Sequence, residues 1–136
     1  MAKAKNTDKL VVQNAAKTLL ANIRFASVDD PIRTITVTSS IPNEGKSTVS
    51  INLAQAIATS GKSVLLVEAD MRRRSLSDML GVRSRGGLYA VLSEQISIDQ
   101  AIVETGQKNF YFLDAEPHIP NPIDIIVSHR FAKLVK

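Results

Sequence analysis

Apolar residues recur along the chain with two different spacings, which predict helices alternating with strands. Across residues 8–25 they fall three or four positions apart, as on one face of a helix, and Pro31 then interrupts helical structure. Alternating β-branched residues predict a strand over 33–38. The segment 46–60 returns to helical spacing, and Gly61 marks its carboxyl end. The pattern therefore reads helix, strand, helix.

The rest of the chain continues this alternation. Four successive apolar residues at 64–67 predict a parallel strand covered on both faces. The same reasoning predicts a short helix near 76–80, a helix from Ser97 to about Val103, a strand over 109–113 and a last helix with Pro122 in its first turn. Strands that alternate with helices indicate a parallel α/β sheet with right-handed crossovers.

Composition removes several classes of protein. The chain has 136 residues and no Cys, which excludes disulfide scaffolds and thiol catalysis. No apolar run approaches the ~20 residues of a membrane span, and the Lys-rich start lacks the apolar region of a signal peptide, so a cytoplasmic location is expected. The formal net charge of +4 favours phosphate-bearing partners but is too mild to indicate nucleic-acid binding.

The segment between the first predicted strand and the next helix carries the strongest chemical signal. Residues 40–47 match the phosphate-loop pattern G-x-x-x-x-G-K-[ST], except that Ser40 stands at the first Gly. In such a loop, backbone N–H groups and a helix N-terminus surround phosphate, and Gly45 lets the backbone approach it. Lys46 is placed to reach the β- and γ-phosphates, and Ser47 to ligate Mg²⁺. Asn43, Glu44 and Thr48 complete the predicted nucleotide contacts.

A second polar cluster follows the strand at 64–67. Glu68 and Asp70 project from the same side of an extended chain, at the end of a strand where the ligand crevice of a parallel sheet lies. Asp70 is suited to hold metal-bound water or to accept a proton, and Arg72 to clamp phosphate. Alone, the cluster is also compatible with a solvated turn, but the intervening helix and strand bring it beside Lys46 in a βαβ unit.

These motifs resemble the bacterial tyrosine kinases of capsule and exopolysaccharide synthesis, which are P-loop ATPases related to the MinD and ParA group. The stretches that follow the family patterns are 14–25, the loop 38–48, the second Walker motif at 64–76, Gly86-Gly-Leu88 and Pro120-Asn-Pro122. The departures include Glu68 for the family's first Asp and Glu116 for a usual Gly. Asn14, Lys17 and Leu20 replace the charged positions that the family uses in ring assembly.

The resemblance implies a P-loop fold and ATP-dependent phosphorylation of protein tyrosines. ATP and Mg²⁺ are the implied cofactors, with Lys46 and Asp70 catalytic and Ser47, Glu68 and Asp70 near the metal. The implied partners are the cytoplasmic tail of a transmembrane polysaccharide co-polymerase, tyrosine-containing proteins or the chain itself, and further copies in a homo-oligomer. Association with a membrane would then pass through the activator.

The resemblance also divides the chain. Residues 1–32 are expected to form an N-terminal helix and linker, and 33–136 the front portion of a P-loop domain that is incomplete at its C-terminus. In the family, a Walker B strand and a tyrosine cluster follow such a portion. Asp114 imitates a Walker B carboxylate because four apolar residues precede it, but it does not match the family's position. Tyr89 and Tyr111 are expected to pack in the core.

Two other functions remain open from the sequence. A nucleotide-dependent switch of the ParA and MinD kind would bind ATP, dimerise and hydrolyse it, but that group usually carries a Lys early in its phosphate loop, where this chain has Ser40 to Pro42. A non-catalytic module that binds nucleotide weakly, or not at all, is the third hypothesis. Formation of phosphotyrosine distinguishes the kinase from both.

Overall fold

The computed structural model describes residues 2–38, 46–69, 76–84 and 86–116, with side chains from Lys9 onward. Its elements are α1 (Ala2–Ala26), α2 (Lys46–Thr59), β1 (Val64–Val67), α3 (Leu76–Leu80), α4 (Leu88–Leu92), α5 (Ile98–Ala101), β2 (Val103–Glu104) and β3 (Phe110–Leu113). The chain forms two compact units, Met1–Val64 and Leu65–Lys136. The division at residue 32 expected from the sequence stays a prediction.

The first unit is built on the packing of α1 against α2. Ala16 and Leu20 of α1 meet Leu53 and Ala56 of α2 in a buried cluster, which Ile23 and Ile57 extend. Because two of these four residues are alanines, the helix axes can approach closely at those positions. Both helices were expected from the apolar spacing, and α1 begins earlier than that spacing indicated.

The carboxyl end of α2 follows the expected glycine rule. The N–H of Gly61 donates to the carbonyl of Ala58 at 3.0 Å. Gly61 itself has a φ of +97°, a left-handed conformation that a residue with Cβ adopts only at a cost. Glycine at this position therefore ends the helix, and β1 begins three residues later.

The second unit contains a small mixed sheet with the strand order β1-β3-β2. The N–H of Glu68, just after β1, donates to the carbonyl of Leu113 at the end of β3 at 2.9 Å. The carboxyl ends of these two strands are therefore adjacent, and the strands run in the same direction. In contrast, β2 is antiparallel to β3, with Val103 opposite Phe112. The sheet is thus mixed: the β1–β3 pair is parallel, as predicted, and the β3–β2 pair is antiparallel.

The core of the second unit joins the short helices to β3. Its buried members are Leu88, Leu92, Ala101, Leu113 and Ala115, and Val91 and Ile96 pack against them. Phe110 and Phe112 of β3 are also buried. Tyr89 and Tyr111, which are expected to pack in the core, are half-buried.

Residues 33–38 do not form the strand that their alternating pattern predicts. The segment is irregular and mostly exposed, with Val37 half-buried, and Ile35 is among the exposed large apolar residues. Within the described sheet, β1, β3 and β2 pair only with one another, so this segment has no strand partner there. The alternating pattern places side chains as a strand requires, but a strand also needs hydrogen bonds to the backbone of a neighbouring strand.

Two further expectations are corrected. The strand β1 is not covered on both faces, because Leu65 and Val67 are exposed while Val64 and Leu66 are half-buried. The helix that Ser97 caps ends at Ala101 instead of Val103, because Val103 pairs with β3. The last predicted helix, after Pro122, lies outside the described residues.

Candidate functional site

The phosphate-loop lysine and serine open α2. This helix begins at Lys46, and no acidic residue occupies its first turn. Lys46 and Ser47 are half-buried, and Thr48 is exposed. A helix N-terminus presents unbonded N–H groups and a partial positive charge, which together attract phosphate. The described start of α2 is therefore chemically suited to an anionic ligand.

Two side chains within α2 bond back to backbone carbonyls of its first turn. The hydroxyl of Ser50 donates to the carbonyl of Lys46 at 2.8 Å, and Nδ2 of Asn52 donates to the carbonyl of Thr48 at 2.8 Å. Each bond spans four residues and parallels the backbone ladder. These contacts add a second donor to the carbonyl oxygens of Lys46 and Thr48.

Glu68 lies at the carboxyl end of β1 and is 5 % exposed. Its Oε2 accepts the N–H of Leu76, the first residue of α3, at 3.2 Å. Burial of a carboxylate is costly unless hydrogen bonds compensate it, and this bond also fixes where α3 begins. Glu68 therefore links the strand to the following helix, in addition to the metal role that the sequence predicts.

Asp114 occupies the matching position at the end of the neighbouring strand. It is 4 % exposed, and its Oδ1 accepts the N–H of Ala115 at 2.8 Å. Because β1 and β3 run in the same direction, Glu68 and Asp114 share one edge of the sheet, the edge at which parallel sheets bind ligands. Among the described residues, no group of three His, Cys, Asp or Glu side chains is suited to hold a metal ion. A metal role for Asp114 stays a prediction.

The structure leaves part of the predicted site undescribed. Asn43, Glu44, Gly45, Asp70 and Arg72 lie outside the described residues. Lys46, Ser47 and Thr48 belong to the first compact unit, and Glu68 belongs to the second. The assembly of these residues into one site is therefore still a prediction.

Sequence reasoning missed a contact between the segment after β3 and the start of α4. The Glu116 carboxylate accepts three backbone N–H groups, from Gly87 at 2.5 Å, Tyr89 at 2.9 Å and Ala90 at 3.1 Å. The fourth, from Leu88, goes to the carbonyl of Asp114 at 2.7 Å. All four N–H groups at this helix start are thus bonded by two residues from a distant segment. The only signal in the sequence was Glu116 at a position where the resembling family has Gly.

This contact forms one wall of a cavity of about 740 Å³ in the second unit. The cavity is lined by Ser77, Asp78, Gly81, Val82, Arg83, Ser84, Gly86, Gly87, Asp114, Ala115 and Glu116. It borders the carboxyl edge of the sheet, since Asp114 and Ala115 directly follow β3. No described helix is long and apolar enough to cross a bilayer.

Comparison with known proteins gives consistent matches. The profile of the AAA domain family matches residues 32–129. The tyrosine-protein kinase YwqD of Bacillus subtilis is 38% identical over 118 residues, which cover 87% of this chain and 50% of that protein. The crystal structure of the chimerical protein CapA2B2 matches with a TM-score of 0.82 and 33% identity, covering 88% of this chain and 52% of that one. The kinase domain of the Escherichia coli tyrosine kinase ETK matches with a TM-score of 0.83 and 27% identity, and the match covers 90% of this chain and 48% of that one.

The fold, together with a helix that opens on Lys46 and Ser47, defines the class of P-loop nucleotide-binding α/β proteins. Within that class, the chain belongs to the AAA domain family, and the relatives that it matches include proteins named bacterial tyrosine kinases. It spans half the length of YwqD and about half of the matched kinase-domain structures. The predicted family and P-loop fold are confirmed.

Proposed function

We propose that this chain is the nucleotide-binding portion of an ATP-dependent protein-tyrosine kinase that serves capsular or exopolysaccharide synthesis. The observation that carries the proposal is the start of α2, where Lys46 and Ser47 open a 14-residue helix free of acidic residues in its first turn. This arrangement follows a loop with the phosphate-binding pattern, and the curated relative YwqD is itself named a tyrosine-protein kinase.

The proposed site would hold a nucleotide together with its metal ion. When bound, ATP and Mg²⁺ supply the phosphoryl group and compensate its negative charge. Lys46 would contact the phosphates, and the Ser47 hydroxyl and the carboxylates of Glu68 and Asp70 would contribute oxygen ligands or hold metal-bound water, which is the donor set that Mg²⁺ prefers. Asn43, Glu44, Gly45, Thr48 and Arg72 would complete the contacts with the nucleotide.

We assign to Asp70 the role of general base, which accepts the proton of the acceptor hydroxyl. A carboxylate within hydrogen-bond reach of a tyrosine hydroxyl lowers the barrier to transfer by accepting its proton. The acceptor is a tyrosine of another protein or of the chain itself, which contains two tyrosines, Tyr89 and Tyr111. The proposed partners are the cytoplasmic tail of a transmembrane activator and further copies of the kinase, at the cytoplasmic face of the membrane.

Substitution of the phosphate-loop lysine tests the proposal. The chain is incubated with ATP, Mg²⁺ and a tyrosine-rich acceptor, with and without an activator tail, and phosphotyrosine is measured. Lys46→Ala should abolish the product because the phosphates lose their cationic contact. Lys62→Ala is the matched control, since it removes an equal charge at an exposed position beyond the other end of α2.

Direct binding separates the nucleotide site from catalysis. Calorimetry with Mg-ATP should show binding to the wild type and to Lys62→Ala, and a loss of at least tenfold in affinity for Lys46→Ala. Nucleotide binding with phosphate release but no phosphotyrosine under any activator would refute the kinase assignment and favour a switch of the ParA and MinD kind. Absence of Mg-ATP binding would refute both.

A further inference from the structure

The excess of positive over negative charge in this chain lies in one helix. The segment 2–26 that forms α1 carries five basic residues and a single acidic one, Asp8; the basic residues are Lys3, Lys5, Lys9, Lys17 and Arg24. Its net charge of +4 equals that of the whole chain. The remaining 12 basic and 12 acidic residues cancel, so α1 accounts for the entire excess.

The same helix exposes large apolar side chains away from its partner. Ala16 and Leu20 face α2, but Val11 is 61% exposed and Phe25 is 84% exposed. Leu10 is exposed as well. Residues seven apart lie two turns along on nearly the same face of a helix, so Leu10 shares a face with Lys17. The outward face of α1, defined by Leu10, Val11 and Phe25, is thus apolar, and the exposed cation Lys17 lies at its edge, where it also lines a shallow cavity against α2.

We propose that the outward face of α1 binds the surface of a membrane that contains anionic lipids. Such a surface attracts cations within about a Debye length and accepts apolar side chains at the boundary between headgroups and acyl chains. Both requirements are met by a helix that carries all of the net charge and exposes Phe25 and Val11. An acidic protein segment or duplex DNA would use the charge but would leave these apolar side chains without a matching environment.

This attachment differs from the association through an activator given above. It needs neither nucleotide nor catalysis, and it involves residues distant in sequence from the phosphate loop. Its consequence is that α1 alone would hold the protein near the bilayer at low ionic strength. Each cation near an anionic bilayer strengthens the attachment several-fold, and the effect weakens as salt screens the charges.

Vesicle sedimentation tests the proposal with the full chain. Vesicles of equal parts phosphatidylglycerol and phosphatidylcholine should bind the wild type, and vesicles of phosphatidylcholine alone should not. Raising the salt from about 0.05 M to about 0.5 M should release most of the protein. Lys17→Glu should weaken binding by roughly tenfold or more. Lys108→Glu, the matched control, makes the same charge change at an exposed position in the second unit and should bind as the wild type does.

A second variant tests the apolar part of the surface. Phe25→Ser removes a side chain that is 84% exposed, so the helix should keep its circular dichroism while vesicle binding falls by roughly tenfold. Equal binding by Lys17→Glu and Lys108→Glu would overturn the proposal. Binding of the wild type to polyglutamate or duplex DNA, without binding to the anionic vesicles, would also overturn the proposal, because the ligand of the outward face of α1 would then be an acidic polymer.

Discussion

At the start of α4, a single carboxylate from a distant segment takes the place of a local helix cap. Gly87 precedes the helix and has no side chain to accept the N–H groups, and Glu116 accepts three of them instead. A negative charge at a helix N-terminus is also favourable to the helix dipole. The position of this five-residue helix therefore depends on one residue 28 positions beyond its start.

Replacement of this carboxylate measures its contribution to stability. In Glu116→Gln one acceptor oxygen becomes an N–H₂ donor that faces another donor, so we expect a loss of about 1–2 kcal/mol in the free energy of unfolding. Urea denaturation followed by circular dichroism provides the measurement. Glu104→Gln makes the same change at an exposed position of β2 and should shift the value by less than about 0.5 kcal/mol. Equal urea midpoints for Glu116→Gln and Glu104→Gln would show that the contact of Glu116 with α4 does not stabilise the fold.

Two adjacent glycines before α4 have different tolerances for a side chain. A Cβ at Gly87 would lie 2.3 Å from the carbonyl oxygen of Asp114, which belongs to the backbone and cannot rotate away. At Gly86 it would meet Cδ1 of Ile96 at 2.7 Å, the flexible end of a side chain. Gly87→Ala should therefore cost about 1–3 kcal/mol, and Gly86→Ala distinctly less. Thermal unfolding of both variants checks this order, and a reversed order would contradict the packing of Gly87 on β3.

At the scale of elements, the helix pair α1–α2 depends on a narrow buried stripe. Leu20 is 8% exposed and contacts α2, whereas its neighbour Leu19 is 40% exposed. Leu20→Ala should lower the free energy of unfolding by about 2–4 kcal/mol, because it leaves a cavity between the helices. Leu19→Ala removes the same atoms from a partly solvated position and should cost about 1 kcal/mol or less. Similar losses in chemical denaturation would refute this packing.

Elements with a local signal in the sequence, including strands β1 and β3, could be predicted, whereas elements defined only by a distant partner could not. The helix α2 was expected within one residue because its apolar face and Gly61 are local features. The capping box of Ser97 and Gln100 is equally local. In contrast, β2 was missed because its two residues become a strand only by pairing with β3. The strand predicted over 33–38 was wrong for the opposite reason, since this segment has the alternating pattern but no strand partner in the described sheet.

At the scale of the whole molecule, ligand binding should raise stability. A ligand that binds only the folded state adds about 2.7 kcal/mol at a concentration one hundred times its dissociation constant. Mg-ATP should therefore raise the unfolding temperature of the wild type and of Lys62→Ala, and should raise that of Lys46→Ala distinctly less. Differential scanning fluorimetry over a nucleotide titration measures this effect. An equal shift in Lys46→Ala would place the bound nucleotide elsewhere.

The candidate site was partly predictable for a related reason. Lys46 and Ser47 were expected because the phosphate-loop pattern is contiguous, and the structure places them at the start of a helix. The burial of Glu68 and its bond to Leu76 followed from no pattern, since they depend on how α3 packs beside β1. The contact of Glu116 with α4 was likewise invisible, because its two segments lie far apart along the chain.

The confinement of the net charge to α1 has a consequence for the behaviour of the protein in solution. Without residues 1–26, the remaining 12 cationic and 12 anionic side chains would place the polypeptide near its isoelectric point at neutral pH. Proteins near this point lose the mutual repulsion that keeps them dispersed. The helix that packs on α2 is therefore also the source of the molecule's colloidal stability, and shortening it would promote precipitation around pH 7.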